Sequence, residues 1–451
     1  MSAPEIVTIV DEGLGNCSYL VDLGDGSALV VDPERDPGPY QAEADKRGLR
    51  IAVAAETHLH ADFVSGAREL ADLGARVVAA REAGLEHPHH ALVDGDRLDL
   101  GGLTLEAVAT PGHTPEHIAY LLCDGTRPVA LFSGGSLLVG AVARTDLIGP
   151  ERTEPLAREL WRSIRDRLLS LPDELGVFPT HGAGSFCSVA PGGERVTTIG
   201  RERSYNPLLA AADEDTFVAR LRGGFGSFPP YFLELRELNR RGPRVYGRFP
   251  TLEPIDVGTV AGLAADGPAL VVDVRPVAAF AAGHIPGSLS IELRAQFASW
   301  LGWLVDRDRP IVFVVDANQD RTDLVRQCLT IGYERLAGAL AGGIEAWRAT
   351  GRPVATVSLV GPAEAAGAMV DVRQHVEFGA GHVRGAVNVE LGDIGTPSAS
   401  LPAGPITLMC GHGERAMSAA SILAARGRCD VSVLVGGPSD VAATRHQRLA
   451  V

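Results

Sequence analysis

Residues 57–63 read Thr-His-Leu-His-Ala-Asp-Phe. The imidazoles of His58 and His60 and the carboxylate of Asp62 are donor types that hold divalent metals, and on a tight turn leaving an apolar strand two of them can reach one ion. Two more histidines follow apolar strands in the same half of the chain. His113 lies in TPGHTPEH and His181 in FPTHGAGSFC. A lone histidine is more often structural, but three histidine loops in one domain point to a shared centre. Cys187 follows His181 by six residues, and its ordinary reading is that of a small buried hydrophobe.

A second constellation lies far downstream. Cys410-Gly411-His412-Gly413-Glu414-Arg415 follows the apolar run PITLM and leads into a helical stretch from Ala416. A thiol at a strand end, in a glycine-containing loop, sits where successive backbone N–H groups can form an anion nest. The following helix adds the positive end of its dipole, and Arg415 adds a fixed cation. All three favour a thiolate and an anion bound beside it. Cys410 and Arg415 are the catalytic candidates, with Gly411, His412, Gly413 and Glu414 lining the loop; His412 reads as exposed.

The elements that must position these groups divide the 451 residues into more than one domain. Residues 270–289, LVVDVRPVAAFAAGHIPGSL, recur as 368–387, AMVDVRQHVEFGAGHVRGAV, at a constant offset, so that Asp273, Arg275, Phe280, Gly283 and His284 match Asp371, Arg373, Phe378, Gly381 and His382. Each copy alternates strands with helices, which implies a parallel sheet covered on both faces. Residues 1–250 instead hold short β-rich runs, with helical stretches expected at 64–74 and 155–170. A Pro/Gly-rich join near 241–256 reads as a linker. In the first copy, a one-residue slip sets Asp316 opposite Cys410 and Arg321 opposite Arg415.

Lys and Arg number 41 against 56 Asp and Glu, a net charge of −15. That disfavours nucleic acid and anionic membranes as partners. The six cysteines are scattered without a CxxC pair, so neither a zinc ribbon nor a disulfide scaffold is indicated. With no basic leader and no long uncharged apolar run, a cytoplasmic protein is the expectation.

With THLHADF, TPGHTPEH, LFSGGSLLVG followed by ARTDL, and the His181 loop, the first half resembles the metallo-β-lactamase superfamily, in its glyoxalase II and persulfide dioxygenase branch. The DVR…F..GH repeats and the Cys410 loop resemble rhodaneses. The resemblance implies an α/β fold: a metallo-β-lactamase-like αββα sandwich over 1–250, a rhodanese-like domain over 255–352 without a nucleophile, and a second over 358–449 carrying Cys410. It also implies departures. The family motif ends in His where Phe63 stands, and the family's metal-ligand Asp corresponds to Gly135. Binuclear hydrolysis is therefore not expected. A single Fe(II) would rest on His58 and His113, with His60 standing in for the missing carboxylate and Asp62 and His181 left either as supports behind the ligands or as remnants of the second site; Zn(II) is the alternative, and so is a site with no metal. In the fusion family a cysteine in the Cys187 loop lies near the mouth of the metal site. Activity on low-molecular-weight persulfide, thiosulfate or sulfite is implied, with sulfane sulfur carried on Cys410, and a homodimer or larger homo-oligomer. A sulfurtransferase on an inactive scaffold and a non-catalytic persulfide sensor stay open beside it.

Overall fold

The computed structural model describes residues 4–188, 193–265, 267, 269–397 and 399–451. They fall into two compact units, 1–249 with 329–332, and 250–328 with 333–451.

The first unit is built on two six-stranded sheets. One runs in chain order through the strands Ile6–Asp11, Asn16–Asp22, Ser27–Val31, Arg50–Ala55, Arg76–Ala80 and His90–Leu92. The other is ordered Thr197–Thr198, Gly176–Pro179, Arg127–Gly134, Ile118–Asp124, Leu103–Ala109 and Arg97–Asp99. Period-two patterning explains why they face each other. Along Ile118–Asp124, Ile118, Tyr120 and Leu122 point into a core shared with Tyr19, Val31 and Val53 of the other sheet. The alternate residues Ala119, Leu121 and Cys123 pack outward against the helix Pro150–Arg162. The outer face of the first sheet is likewise covered, by Tyr40 and Ala44 of one helix and Ala67 and Leu70 of another. The layers are helix, sheet, sheet, helix, as the resemblance implies. The helix expected over 64–74 is the shorter Ala67–Asp72, and the one expected from 155 begins at Pro150 and continues as a π-turn over Ser163–Leu168.

The second unit holds two five-stranded, all-parallel sheets of the same strand order. The repeated motif is architectural. Arg275 grips Asp273 with Nε at 2.9 Å and Nη2 at 2.6 Å and also donates to the Gly283 carbonyl. Arg373 does the same with Asp371 and Gly381. The His284 ring stacks on Phe280 at 3.8 Å, and His382 on Phe378 at 3.8 Å. Each repeat motif thus ties a strand end to the turn that follows its helix.

Sheet register corrects one alignment. Asp273 pairs with Val314 in the first copy, and Asp371 with Met409 in the second. The residue after each pair is Val315 or Cys410, so Val315, not Asp316, stands level with the cysteine. The slip arises because the first loop is longer: its helix starts at Arg321, whereas Glu414 starts the helix after Cys410. No helix among the described residues is long and apolar enough to cross a membrane.

Candidate functional site

In the first unit the loops at the ends of three strands bring His58, His60, Asp62, His113 and His181 together, all fully or almost fully buried. Their tautomers follow from their partners. The Thr57 hydroxyl donates to Asp32 at 2.7 Å, so it can only accept from His58 Nδ1 at 2.8 Å, which leaves a lone pair on His58 Nε2. His113 Nδ1 donates to the Arg144 carbonyl at 2.6 Å, and its Nε2 is buried without a hydrogen-bond partner. His181 Nδ1 faces Asn16 Oδ1 at 3.0 Å and Asp62 at 3.3 Å, so its lone pair too is on Nε2. The Nε2 atoms of His58 and His181 face each other at 3.3 Å. Two lone pairs that close repel unless a cation lies between them, and two imidazoles on one tetrahedral metal stand about 3.4 Å apart. Burial, reinforced by neighbouring imidazoles, holds His58 and His113 well below the ordinary histidine range, as neutral donors.

His60 is placed differently. Its Nε2 contacts Glu56 at 2.9 Å and Asp32 at 3.3 Å. Burial alone would lower its pKa, but the two carboxylates overcome it and push it up to about 10. Phe63 stacks flat on the His60 ring at 4.1 Å. The Asp62 carboxyl would be raised by burial, yet His181 leads the groups that hold it below the usual range. Asp32 anchors this side from a left-handed backbone conformation, φ 50°, which Asp tolerates better than most residues. It accepts from the Thr57 N–H and hydroxyl and from the Thr180 hydroxyl.

Position 135 does not offer room for a side chain. A Cβ built on Gly135 would lie 2.4 Å from His113 Cδ2. The Gly135 N–H donates to His117 Nε2 at 2.9 Å, and His117 Nδ1 lies 2.8 Å from Thr110 Oγ1. Burial pulls the His117 pKa down to about 3, so it acts as a neutral strut. Position 135 therefore supplies no carboxylate, while the orphaned His113 Nε2 and His60 Nδ1 are donors that fit a divalent ion. His117, Asp32, Glu56, Thr57, Asn16 and Arg144 are missing from the residues picked out by sequence. The signal was strongest for His117, the second histidine of TPGHTPEH.

Cys187 joins the cluster from the far side. One ligand atom each from His113, His181 and Cys187 lie within 4.8 Å of one another. Burial, then Asp62, pushes its thiol well above the ordinary range. Cys187 also lines a cavity of about 210 Å³ together with Arg144, Phe186, Arg220 and Phe225. Arg144 is a strut in that wall, gripping Asp146 with two bonds at 2.6 and 2.8 Å and donating to the carbonyls of Phe186 and Gly226.

In the second unit Cys410 sits one residue past the strand Ile406–Met409, buried, and its Sγ receives the Gly413 N–H at 3.1 Å. Gly413 adopts φ 116°, which favours glycine, and it directly precedes the helix Glu414–Ala425. A Cβ at Gly437 would meet the Gly411 carbonyl at 2.6 Å, so two glycines allow the loop to close over the sulfur. Arg415 is held by Glu377, with bonds of 2.6 and 2.9 Å, and lies over the Trp300 ring at 5.3 Å. Glu414 pairs with Arg294 at 3.1 Å. His412 is exposed.

Comparisons with known proteins agree with this layout. The metallo-beta-lactamase superfamily description matches residues 10–181, and the rhodanese-like domain description matches 256–350 and again 359–444. The mitochondrial persulfide dioxygenase ETHE1 of Homo sapiens is 31% identical over 206 residues, 44% of this chain and 74% of that protein. A hydroxyacylglutathione hydrolase of Methylococcus capsulatus is 36% identical over 172 residues, 37% of this chain and 62% of its own. The crystal structure of a metallo-beta-lactamase from Staphylococcus aureus aligns with a TM-score of 0.66 and 31% identity, covering 75% of this chain and 99% of that one. The chain belongs to the metallo-β-lactamase superfamily, with an N-terminal domain similar to persulfide dioxygenase ETHE1 fused to two rhodanese-like domains.

Proposed function

We propose that the protein is a persulfide-handling sulfurtransferase. The observation that carries this reading is the Cys410 sulfur, which takes the Gly413 N–H at the N-terminus of a twelve-residue helix. A thiolate there attacks the outer sulfur of thiosulfate or of a low-molecular-weight persulfide. The S–S bond breaks, sulfite or the carrier thiol leaves with the bonding pair, and Cys410 holds a persulfide whose negative charge faces backbone N–H groups and the helix dipole. A second nucleophile then takes the outer sulfur and returns the Cys410 thiolate. Val315 cannot form such an intermediate, so the first rhodanese-like domain carries no sulfur and serves as support. Thiosulfate:cyanide transfer by Cys410→Ser tests the assignment: activity falls to background, and persistent turnover overturns it. Wild-type protein that labels Cys410 stoichiometrically without turnover would identify a persulfide sensor instead.

A second activity is favoured by the orphaned His113 Nε2 and the facing His58 and His181 nitrogens. In this reading the histidine centre acts on the same persulfide, and a divalent ion bound there would supply Lewis-acid or oxygen chemistry. The chain's own part is to orient three neutral imidazoles through Thr57, Arg144 and the Asn16–Asp62 pair, and to exclude water by burial. Oxygen uptake with glutathione persulfide, unchanged by Cys410→Ser and lost in His113→Ala, is the expected result; no uptake by the wild type would sink it.

A further inference from the structure

The ligand lost at Gly135 has a replacement from a different loop. We propose that a divalent metal is held by His113, His181 and the Cys187 thiolate, a nitrogen–sulfur site in place of the family's histidine–carboxylate set. Three observations converge. The three donors already lie within 4.8 Å of one another. Nitrogen and sulfur ligands on one tetrahedral ion stand about 3.5 Å apart, so closure needs side-chain shifts of about an ångström. His113 Nε2 is fully buried, has no partner, and its ring is fixed by the Arg144 carbonyl, so its lone pair is aimed and unsatisfied. His58 Nε2 lies 3.3 Å from that of His181, on the side of the cluster away from Cys187's group.

Chemistry then selects the metal. A set of imidazoles plus one thiolate, with no carboxylate from position 135, suits a borderline-soft divalent ion, for which Co(II) is the spectroscopic probe. Binding replaces the thiol proton by the metal, M²⁺ + Cys–SH → M–S–Cys⁺ + H⁺, and the proton leaves to solvent with no change of oxidation state. The cavity of about 210 Å³ borders the site at Cys187. The site is independent of Cys410, which lies in the other unit.

Cobalt(II) titration of the metal-free, full-length protein tests the proposal. One equivalent binds and produces a thiolate-to-cobalt charge-transfer band in the near ultraviolet. Cys187→Ser and His181→Gln each abolish that band, while Cys410→Ser keeps it, which separates this site from the sulfurtransfer reading. X-ray absorption at the cobalt edge of the wild type, which requires no variant to fold, shows one sulfur scatterer at about 2.3 Å. A wild-type spectrum with only nitrogen and oxygen neighbours, a band that survives in Cys187→Ser, or no cobalt binding at all overturns the proposal.

Discussion

Restoring the family carboxylate at position 135 is expected to fail as a repair. A Cβ there would sit 2.4 Å from His113 Cδ2, 2.8 Å from Cγ and 3.2 Å from Nε2. Ordinary carbon contacts begin near about 3.5 Å, so the imidazole must withdraw by roughly an ångström. The ring has little freedom to do so: it is fully buried, and its Nδ1 is bonded at 2.6 Å to the carbonyl of Arg144, itself gripped by Asp146. Overpacking of a dense core costs about 1–3 kcal/mol, and loss of the Arg144 hydrogen bond adds about 1 kcal/mol. Gly135→Asp therefore lowers the stability of the first unit by about 2–4 kcal/mol. Chemical denaturation measures that loss, and metal analysis after growth in iron-supplemented medium shows no gain of iron over wild type. A variant with an unshifted denaturation midpoint and one iron per chain would refute the reasoning, because it would mean that His113 yields readily and that the site retains the family's geometry.

Three further outcomes concern the second unit. Glu377→Gln removes the bidentate partner of Arg415 and costs about 1–2 kcal/mol, read by denaturation near neutral pH. Burial alone would raise the Glu377 carboxyl, but Arg415 overcomes it and holds it below the ordinary range. Its contribution is present above the unfolded pKa of about 4.5 and lost as pH falls, so the gap between wild type and variant shrinks below that pH; a gap constant down to pH 3 contradicts the pairing. His284 is held below 6.5 by burial against Phe280. Its neutral form stabilises the fold above about pH 6.5, and as pH falls the unfolded chain binds the proton first, with a slope of up to about 1.4 kcal/mol per pH unit. His284→Gln should show a shallower acid-side slope than wild type, and identical slopes would remove His284 from the account. Trp300→Ala uncovers the Arg415 guanidinium and weakens thiosulfate:cyanide transfer while Cys410 stays in place; unchanged kcat and KM would show that the contact at 5.3 Å is idle.

Local and periodic features were legible in the chain. The offset repeat revealed two copies of one α/β domain, and the Cys410 loop carries its candidate groups within six consecutive residues, so sequence alone brings them together. The histidine centre is only half legible by the same logic. The His58, His113 and His181 loops announce themselves by residue type after apolar strands. What each nitrogen does is decided by partners remote in the chain: Asn16 on His181, Asp32 through Thr57 on His58, and the Arg144 carbonyl on His113. A carbonyl acceptor leaves no trace in residue type, which is why the reading of Arg144 as a family signature missed its use. His60, the expected substitute ligand, turns its Nε2 to Asp32 and Glu56, yet its Nδ1 is buried without a hydrogen-bond partner, and one ligand atom each from His58, His60 and His181 lie within 4.8 Å of one another. The Asp316 alignment failed for a simpler reason: a loop of different length hides the register that strand pairing reveals.

That corrected register also bears on why a copy with Val315 level with the cysteine persists. It has a core of its own around Val271, Val312 and Trp347, but part of its apolar surface is shared. Phe280 and Ala281 pack in the same cluster as Val370, Leu408, Cys410 and Met417. Ser418 donates to the Ser290 carbonyl at 2.6 Å, and the Ser290 N–H donates to Ser421 at 3.1 Å, so the strand end of the first copy is bonded to the helix that follows Cys410. Arg294 and Trp300 then reach the first two residues of that helix, Glu414 and Arg415. Position 315 can lose its nucleophile without harm to any of these contacts, because none of them uses it. The reverse does not hold: deleting the first copy would expose Phe280's partners and release the helix whose N-terminus faces the Cys410 sulfur. Holding that helix in place is therefore reason enough for both rhodanese-like domains to stay together.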